Sequence, residues 1–583
     1  MDTPLSALLV FDFFDGDVRP RRACFARPSR IVSAHTLDEV RAALRVVQQA
    51  ADEGLYAAGY VAYEAAPAFD PALVAHTPGS MPLVWFGLFD APSAVCTLSA
   101  SAPFSLSEWR PSVGRDAYCT RAEAAREAIA RGDTYQVNYT FRLRARFDGD
   151  AFSFYERLRA AQPTPYGAYL NTGRHTIVSV SPELFFRRDG SAILTRPMKG
   201  TVRRGRWNEE DAELSAWLAA SEKNRAENVM IVDLLRNDLG RVAETGSVHV
   251  PTLFAIERYP TVFQMTSTVA ARLTASATLE EIFAALFPCG SVTGAPKVST
   301  MRLIKSLEDS PRGVYCGAVG MVEPGGAAVF NVAIRTVVIE HETGAAVYGV
   351  GGGVTWDSVA ADEYAEALDK AALLAEAREP FELLETLLLA DGLYYLLDEH
   401  LARVAASAVY FDVPLCQARV REALDECARG HARGRWRVRL LVSAEGAVRV
   451  ECVPLEATPA QPLRAALALT PVSRHDRFLF HKTTRRAVYE QRRSAHAGVF
   501  DVLLWNEEGE LTEFTTGNLV IELDGRRVTP PRECGLLAGT LRARLLREGE
   551  IEERVLTRAD LARATRCWFI NGVRGWLEVS FTD

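Results

Sequence analysis

The sequence predicts an α+β chain made of two dissimilar domains, and three observations carry that expectation. Thr36 and Glu39 form a capping-box pattern ahead of LDEVRAALRVVQQAADEG, an amphipathic run that reads as a helix ending at Gly54. From 135 to 145 the chain alternates strictly, Tyr135, Val137, Tyr139, Phe141, Leu143 and Ala145 against Gln136, Asn138, Thr140, Arg142 and Arg144. That period of two is a strand with one apolar and one polar face. After Pro380 the pattern restarts with FELLETLLL and a different set of motifs, and 583 residues exceed one ordinary core.

The elements follow in order. Beyond the first helix come the short apolar run MPLVWFGLF and the loop-like APSAVCTLSASAP. Past the alternating strand, residues 209 to 238 read as helix, and 327 to 340 and 346 to 350 read as strands leading into Gly351, Gly352 and Gly353. The helix VAADEYAEALDKAALLAEARE is expected to end near Pro380. The restart then gives a turn at Asp391 and Gly392, a short strand, and a helix carrying His400 and Arg403. The expected division is an N-terminal part at 1–110, a first catalytic domain at 111–378 and a second at 381–583.

Composition narrows the function. With 48% hydrophobic and 24% charged residues and a net charge of -8, the chain has the balance of a globular enzyme and no reason to bind nucleic acid. No cationic leader and no apolar run of about 18 residues is present, so a cytoplasmic protein without a membrane segment is expected. Ten cysteines without a CxxC pair fit reduced, mostly structural thiols and speak against zinc.

Lysine is nearly absent, with six residues against sixty arginines. A guanidinium stays protonated and cannot serve as an amine nucleophile, so the remaining lysines stand out as candidates for covalent chemistry. Glu363, Glu366 and Lys370 share one helical face at i, i+3 and i+7, and Glu227 follows Lys223 on another predicted helix. Two helices offering carboxylates suit a magnesium ion, and they equally suit solvated faces with a Glu366 to Lys370 pair.

The text around them resembles the chorismate-utilising enzymes over roughly residues 110 to 377: SPELFF at 181–186, RPMKGT at 196–201, KNRAENVMIVDLLRNDLGRV at 223–242, FPCGSVTGAPK at 287–297, and YGVGGG with DEYAEALDK. The resemblance implies two antiparallel sheets packed face to face with helices outside. It also implies a magnesium ion on the substrate's ring carboxylate, with Glu227 and Glu366 as direct ligands and Glu363 in support. Asn224 stands where relatives often have Glu. Glu183 matches the general acid for the departing C4 hydroxyl, and Tyr315 and Arg335 match the pair on the enolpyruvyl carboxylate. Gly290, Ser291, Thr293 and Gly294 would form a loop around the substrate, and Gln136, Thr201, Gly351, Gly352 and Lys370 complete the implied substrate contacts.

Two positions choose among family members. Isochorismate and salicylate synthases have a lysine base where this strand has Gln136, which cannot take a proton from water. Anthranilate synthases usually carry alanine where Lys199 stands, and aminodeoxychorismate synthase component I carries lysine. The resemblance therefore implies attack of Lys199 on C2 of chorismate as the C4 hydroxyl leaves, then addition of ammonia at C4. An ordinary lysine is under about 0.1% neutral at pH 7, and lowering its pKa by about three units requires roughly 4 kcal/mol of differential destabilisation of the cation. No Gly-x-Cys-x-Gly elbow with a later His-x-Glu is present, so ammonia is expected from solution or from a separate glutamine amidotransferase subunit.

The second half carries Lys482 in FLFHKTTRR and Glu513, 31 residues later, in LTEFTTGNLVIEL, with HLARV at 400–404 and GLLAGTLRARLL at 535–546. Over roughly residues 381 to 578 this resembles the fold-type IV pyridoxal-phosphate enzymes, an α/β family containing aminotransferases and aminodeoxychorismate lyase. The resemblance implies Lys482 as the lysine that joins the cofactor, Glu513 on the pyridine nitrogen, and Arg403 on the phosphate. Thr516, Gly539 and Thr540 would add donors at a helix terminus. Aminotransferase and lyase share this machinery; pathway adjacency favours the lyase, giving 4-aminobenzoate for folate synthesis. A degenerate regulatory module is the third alternative. An Asp-Arg-Gly segment expected before LLETL is missing, and Ser443-Ala444-Glu445-Gly446 stands where lyases can show Ser-Arg-Gly. The domain would then be completed by the first half or by a second copy in a homodimer through the C-terminal half.

Overall fold

The computed structural model describes residues 7–13, 21–93, 102–374 and 380–581. The expected boundary near 378–381 and most of the loop-like 91–103 fall outside the described residues, as do parts of the N-terminal run. The chain forms two compact units, Met1–Arg203 with Ser215–Arg378, and Arg204–Leu214 with Glu379–Asp583. The short stretch 204–214 therefore lies with the C-terminal half although sequence places it inside the first.

Two antiparallel sheets build the first unit. One runs through Arg21–Ala26, Leu8–Phe13, Tyr166–Asn171, His175–Ser181, Thr336–Glu340, Ala345–Val354, Val137–Gly149 and Phe104–Leu106. The other runs through Met198–Arg203, Val262–Arg272, Ala192–Arg196, Leu184–Asp189, Ala328–Val332, Ala318–Val322, Tyr56–Val61, Val84–Phe89 and Arg30–Ala34. Leu9, Phe11, Tyr166 and Ile177 of the first sheet share a buried cluster with Tyr60, Trp85, Leu184 and Val319 of the second. That cluster is the seam of a sandwich, because each sheet buries one apolar face on the other. The outer faces are covered by helices, with Leu44, Val47, Ile231, Leu235 and Phe283 on one side and Tyr118, Phe154 and Ala367 on the other. This is the expected sandwich with outer helices.

The local expectations fare unevenly. Leu37–Asp52 is helical, with Glu39 accepting from the N–H groups of His35 (2.7 Å) and Thr36 (3.0 Å), and Gly54 takes φ 94° just beyond it. The helix expected over 209–238 is two, Asn208–Ala220 and Glu222–Gly240, because Ser221 leaves the helical region and caps the second by accepting from Asn224 N–H. The polar face of the strand Val137–Gly149 is not solvated: Gln136, Asn138, Thr140 and Arg142 are all buried. Glu308 explains it, pairing with Arg142 at 3.3 Å and with Arg312 at 2.6 Å while accepting from Thr140. Buried charges persist when paired and hydrogen-bonded in this way.

In the second unit a small antiparallel sheet orders Leu393–Tyr394, Leu383–Ala390, Arg435–Val442 and Val448–Pro454. A larger sheet runs through Leu511–Phe514, Asp501–Trp505, Leu463–Leu467, Gly575–Phe581, Arg566–Asn571, Gly517–Leu523, Arg526–Thr529 and Glu552–Glu553. Additional pairing of Leu511–Phe514 with Gly517–Leu523 closes part of it into a ring. Trp207 from the stretch 204–214 is buried among Leu479, Phe480, Tyr489 and Val502, its ring 5.1 Å from that of Phe480. Arg204 and Asp211 make a buried pair at 2.6 Å, and Tyr410 O–H donates to Gly205 C=O at 2.7 Å.

Folding also rearranges the cysteine picture. Cys24 is disulfide-bonded, against the expectation of reduced thiols, while Cys427 and Cys452 come within 4.8 Å of each other and of His431.

Candidate active sites

In the first unit the strand Met198–Arg203 delivers Lys199, the helix Glu222–Gly240 delivers Glu227, and the helix Ala360–Asp369 delivers Glu363 and Glu366. The glycine run on the strand Ala345–Val354 lets them converge. A Cβ on Gly353 would sit 2.2 Å from Gln136 Nε2 and 3.1 Å from Lys199 Nζ, and one on Gly352 would sit 3.2 Å from Glu363 and 3.4 Å from Lys370 Nζ. Any larger residue there would fill the space these side chains face.

Burial pulls the Lys199 pKa below that of an ordinary lysine, against Glu227 and Glu183, which favour its cation. Glu183 is buried, and burial lifts its carboxyl to about 7 despite Ser291 and Lys199 nearby. A carboxylic acid half protonated at neutral pH can donate a proton, as an acid catalyst must. Buried polar atoms lack protein partners at three of the expected positions: both amide atoms of Gln136, Glu183 Oε1 and Arg335 Nη1. Such groups usually find partners, so a polar ligand is the economical explanation.

The carboxylates fit a hard divalent ion by donor type. Burial raises Glu227 and Glu363, while in Glu366 burial is outweighed by Lys370, bonded at 2.8 Å, leaving it below the ordinary range. Glu363 accepts from Ser358 at 2.6 Å, and the three carboxylates do not lie together within 4.8 Å. Lys370 also donates to Gly351 C=O at 3.1 Å. Asn224 lies beside Gly200, with its Oδ1 3.1 Å from where a Cβ would be.

Other expected contacts are partly spent within the protein. Thr293 donates its hydroxyl to Cys289 C=O, and Thr201, exposed, donates to Gln264. Ser291 sits in the 3-10 turn Gly290–Val292, and Gly294 at φ 141° approaches Gln136 C=O so closely that a Cβ would lie 2.0 Å from it. Tyr315 packs its ring against Gly349 and beneath Arg142, whose guanidinium is 5.5 Å from its centre. Burial lowers Arg335, which holds φ 51°.

In the second unit a cavity of about 490 Å³ brings together Lys482, Glu513, Arg403, Thr516, Gly539 and Thr540. Lys482 falls to about 7, first through burial and then through Arg403 and Arg486. Glu513 rises to about 7 through burial, while accepting from Tyr489 O–H (2.9 Å) and Leu537 N–H (3.1 Å). Glu385 grips both Arg403 and His400 at 2.6 Å, and these partners overcome burial to hold it at about 2. His400 must donate from Nδ1 to that carboxylate, leaving Nε2 beside Thr540 Oγ1 at 3.3 Å.

The donor set fits a phosphorylated pyridine aldehyde: an amine whose lowered pKa leaves about half of it neutral near pH 7, a carboxyl in the same cavity, and Gly539 capping the helix Thr540–Arg547. A Cβ on Gly539 would lie 2.0 Å from Asn518 Oδ1, so only glycine allows the approach. One expectation needs correcting. The Thr516 hydroxyl is donated to Asp501, which also holds Thr515, so it is spent on shaping the turn. His400 is named in sequence only as part of the HLARV helix, and Glu385, Tyr489, Asn518 and Asp501 carry no motif that marks them. Glu385 had the one available signal, a lone carboxylate inside the apolar run LLETLLL.

The stretch 204–214 reaches this site. His481, next to Lys482, donates from Nε2 to Arg206 C=O at 3.1 Å and accepts at Nδ1 from Ser407 at 3.0 Å. Burial drops it to about 3, so it stays neutral and holds one tautomer.

Comparison with known proteins agrees with this division. Residues 16–376 match the chorismate binding enzyme family, and residues 382–580 match the class IV amino-transferases, a family that implies pyridoxal phosphate. Aminodeoxychorismate synthase from Streptomyces pristinaespiralis is 44% identical over 306 residues, 50% of this chain and 42% of that protein. Component 1 of the Escherichia coli K12 enzyme is 40% identical over 45% of this chain and 58% of its own length. The chain thus spans about half the length of the curated relatives it matches. The crystal structure of anthranilate synthase component I from Streptococcus pneumoniae aligns over 64% of this chain and 93% of its own, with a TM-score of 0.51 and 25% identity. No helix among the described residues is long and apolar enough to cross a bilayer. With its sandwich, its glycine run beside Gln136 and Lys199, and this match over most of its length, the chain belongs to the chorismate binding enzymes and carries a class IV amino-transferase domain behind that fold.

Proposed function

We propose that the chain converts chorismate and ammonia to 4-amino-4-deoxychorismate in its first unit and then releases pyruvate in its second, giving 4-aminobenzoate for folate synthesis. The observation that carries the reading is Lys199, an amine with a lowered pKa between the acid Glu183 and the carboxylate Glu227. Neutral Lys199 forms a bond to C2 as Glu183 gives its proton to the C4 hydroxyl, which leaves as water. Ammonia bonds to C4, and the C2–N bond breaks to release the lysine. Glu227 and Glu366, with Glu363 in support, would hold a magnesium ion that neutralises the ring carboxylate. Ammonia would come from a separate glutamine amidotransferase subunit. A cytoplasmic setting and a homodimer through the C-terminal half belong to the same reading.

In the second unit, bound pyridoxal phosphate would supply an electron sink. Lys482 Nζ takes the proton from the carbon bearing the substrate amine and later returns one to the methylene carbon of the departing enolpyruvyl group. Glu513 holds the proton at the cofactor's ring nitrogen. Arg403, with its fork on Glu385, contributes its remaining N–H edge to the phosphate end. Aminotransfer is the competing reading, since the same residues serve it.

Supplying chorismate, magnesium and ammonium and identifying the products tests both halves. 4-Aminobenzoate with equimolar pyruvate is expected. Anthranilate would sink the first assignment, and 4-amino-4-deoxychorismate accumulating without pyruvate would sink the second.

A further inference from the structure

The C-terminal cavity carries more positive charge than its cofactor chemistry uses. Six arginines line it, at 403, 437, 439, 486, 493 and 574, together with Lys482, whereas Glu513 is its one carboxylate. Arg403 is neutralised by Glu385 and Arg439 by Glu451 at 3.0 Å, and Arg486, which meets no carboxylate among the described residues, is held by Thr515 C=O and lies over the Tyr489 ring at 4.6 Å. Three remain. Arg493 reaches only Phe500 C=O, and Arg574 only Glu456 C=O and Thr458 Oγ1, so neither meets a carboxylate among the described residues. The Arg437 side chain, on a strand paired on both sides through its backbone, has no hydrogen bond or ion pair among them.

Their placement is not that of scattered surface charge. Arg437 and Arg439 stand two residues apart on the strand Arg435–Val442, so they share a face of the small sheet. In register, Arg439 lies opposite Thr386 and Arg437 opposite Leu388 on the strand Leu383–Ala390, and Leu384 and Thr386 of that strand line the same cavity. Arg574 comes from the turn between Arg566–Asn571 and Gly575–Phe581, and Arg493 from the helix Ala487–Ser494. Three separate elements thus turn uncompensated guanidinium groups toward one space. Guanidinium forks pair with planar carboxylates through two parallel hydrogen bonds, and gathering like charges without partners is unfavourable unless an anion joins them.

We propose that Arg437, Arg493 and Arg574 form a carboxylate-recognition site in the C-terminal cavity, selecting an amino substrate that bears two carboxylates over one that bears a single carboxylate and an apolar side chain. The inference rests on the proposed function for the choice of amine, and its charge requirement stands apart from the reaction. A second carboxylate gains a charge-assisted bond that a monocarboxylate cannot form, worth about tenfold or more in affinity.

The test titrates the full-length holoenzyme with isophthalate and with benzoate and follows the visible cofactor band. Isophthalate is expected to bind about tenfold tighter or more. In Arg437→Gln, Arg574→Gln and the double variant the band should persist while that preference shrinks toward unity. Arg437 is exposed, so its replacement leaves no buried group stranded. Equal affinity of the wild type for the two acids overturns the proposal, as does a preference that survives in the double variant. A dicarboxylate preference in a wild type that releases no pyruvate supports this site and contradicts the lyase reading, so the two fail separately.

Discussion

Lys199 and Lys482 are both buried amines with lowered pKa values, but their neighbours differ in sign. Around Lys199 the strongest electrostatic influences are carboxylates, Glu227 and Glu183, which favour the cation and oppose burial. Around Lys482 they are guanidinium groups, Arg403 and Arg486, which act with burial and bring it to about 7. The difference teaches what each amine must do. Lys482 has a substantial free-base fraction near neutral pH, as a lysine that joins an aldehyde needs. Lys199 shares its space with an acid and with carboxylates that suit a cation, so its free-base form competes with the groups that serve the same reaction.

The largest effect separates the two sites outright. Lys199→Ala is expected to lose chorismate amination by about three orders of magnitude while keeping the visible cofactor band, and Lys482→Ala to lose the band and pyruvate release while still consuming chorismate. Absorbance spectra and product analysis on the same preparations check both. Loss of the cofactor band in Lys199→Ala, or of chorismate consumption in Lys482→Ala, would break the division.

Next comes the stretch 204–214. Asp211→Asn leaves Arg204 buried without its partner, and breaking such a pair costs about 3–5 kcal/mol. The cofactor band of the C-terminal unit should therefore melt at a distinctly lower temperature, a change that calorimetry and absorbance can follow together. An unchanged melting temperature would mean that residues 204–214 merely rest on that unit.

Proton chemistry sharpens the contrast further. Glu183 must be protonated to act, and at a pKa of about 7 its protonated fraction falls from about nine tenths at pH 6 to about a tenth at pH 8. The amination rate should fall on the alkaline side with a midpoint near 7, and Glu183→Gln should be slower by about 10²-fold and lose that limb. The opposite sign holds for Lys482, whose neutral fraction rises from about a tenth to about nine tenths over the same interval. Return of colour on adding pyridoxal phosphate to the apoprotein should thus accelerate about tenfold from pH 6 to pH 8.

Much of this was legible in the sequence, for physical reasons. Lys199, Glu183, Lys482 and Glu513 sit in short local patterns, and the sandwich follows from alternation and capped helices that short windows reveal. What sequence concealed depends on distant partners. Trp207 meets Phe480 across 273 residues of chain, and nothing near Trp207 signals it. The alternation of Val137–Gly149 marks a polar face, but the groups that satisfy it, Glu308 and Arg312, lie far along the chain and leave no local sign. Ser221, a residue type that favours helix N-caps, is the local sign of the break between the two helices, whereas the donation of the Thr516 hydroxyl to Asp501 depends on the turn that joins them.

The most direct test follows the intermediate. Lys482→Ala supplied with chorismate, magnesium and ammonium should accumulate 4-amino-4-deoxychorismate and release no pyruvate, and adding Lys199→Ala protein to that mixture should convert the accumulated compound to 4-aminobenzoate. Formation of 4-aminobenzoate by Lys482→Ala alone, or failure of Lys199→Ala to consume the intermediate, would contradict two lysine sites acting in series on one chain.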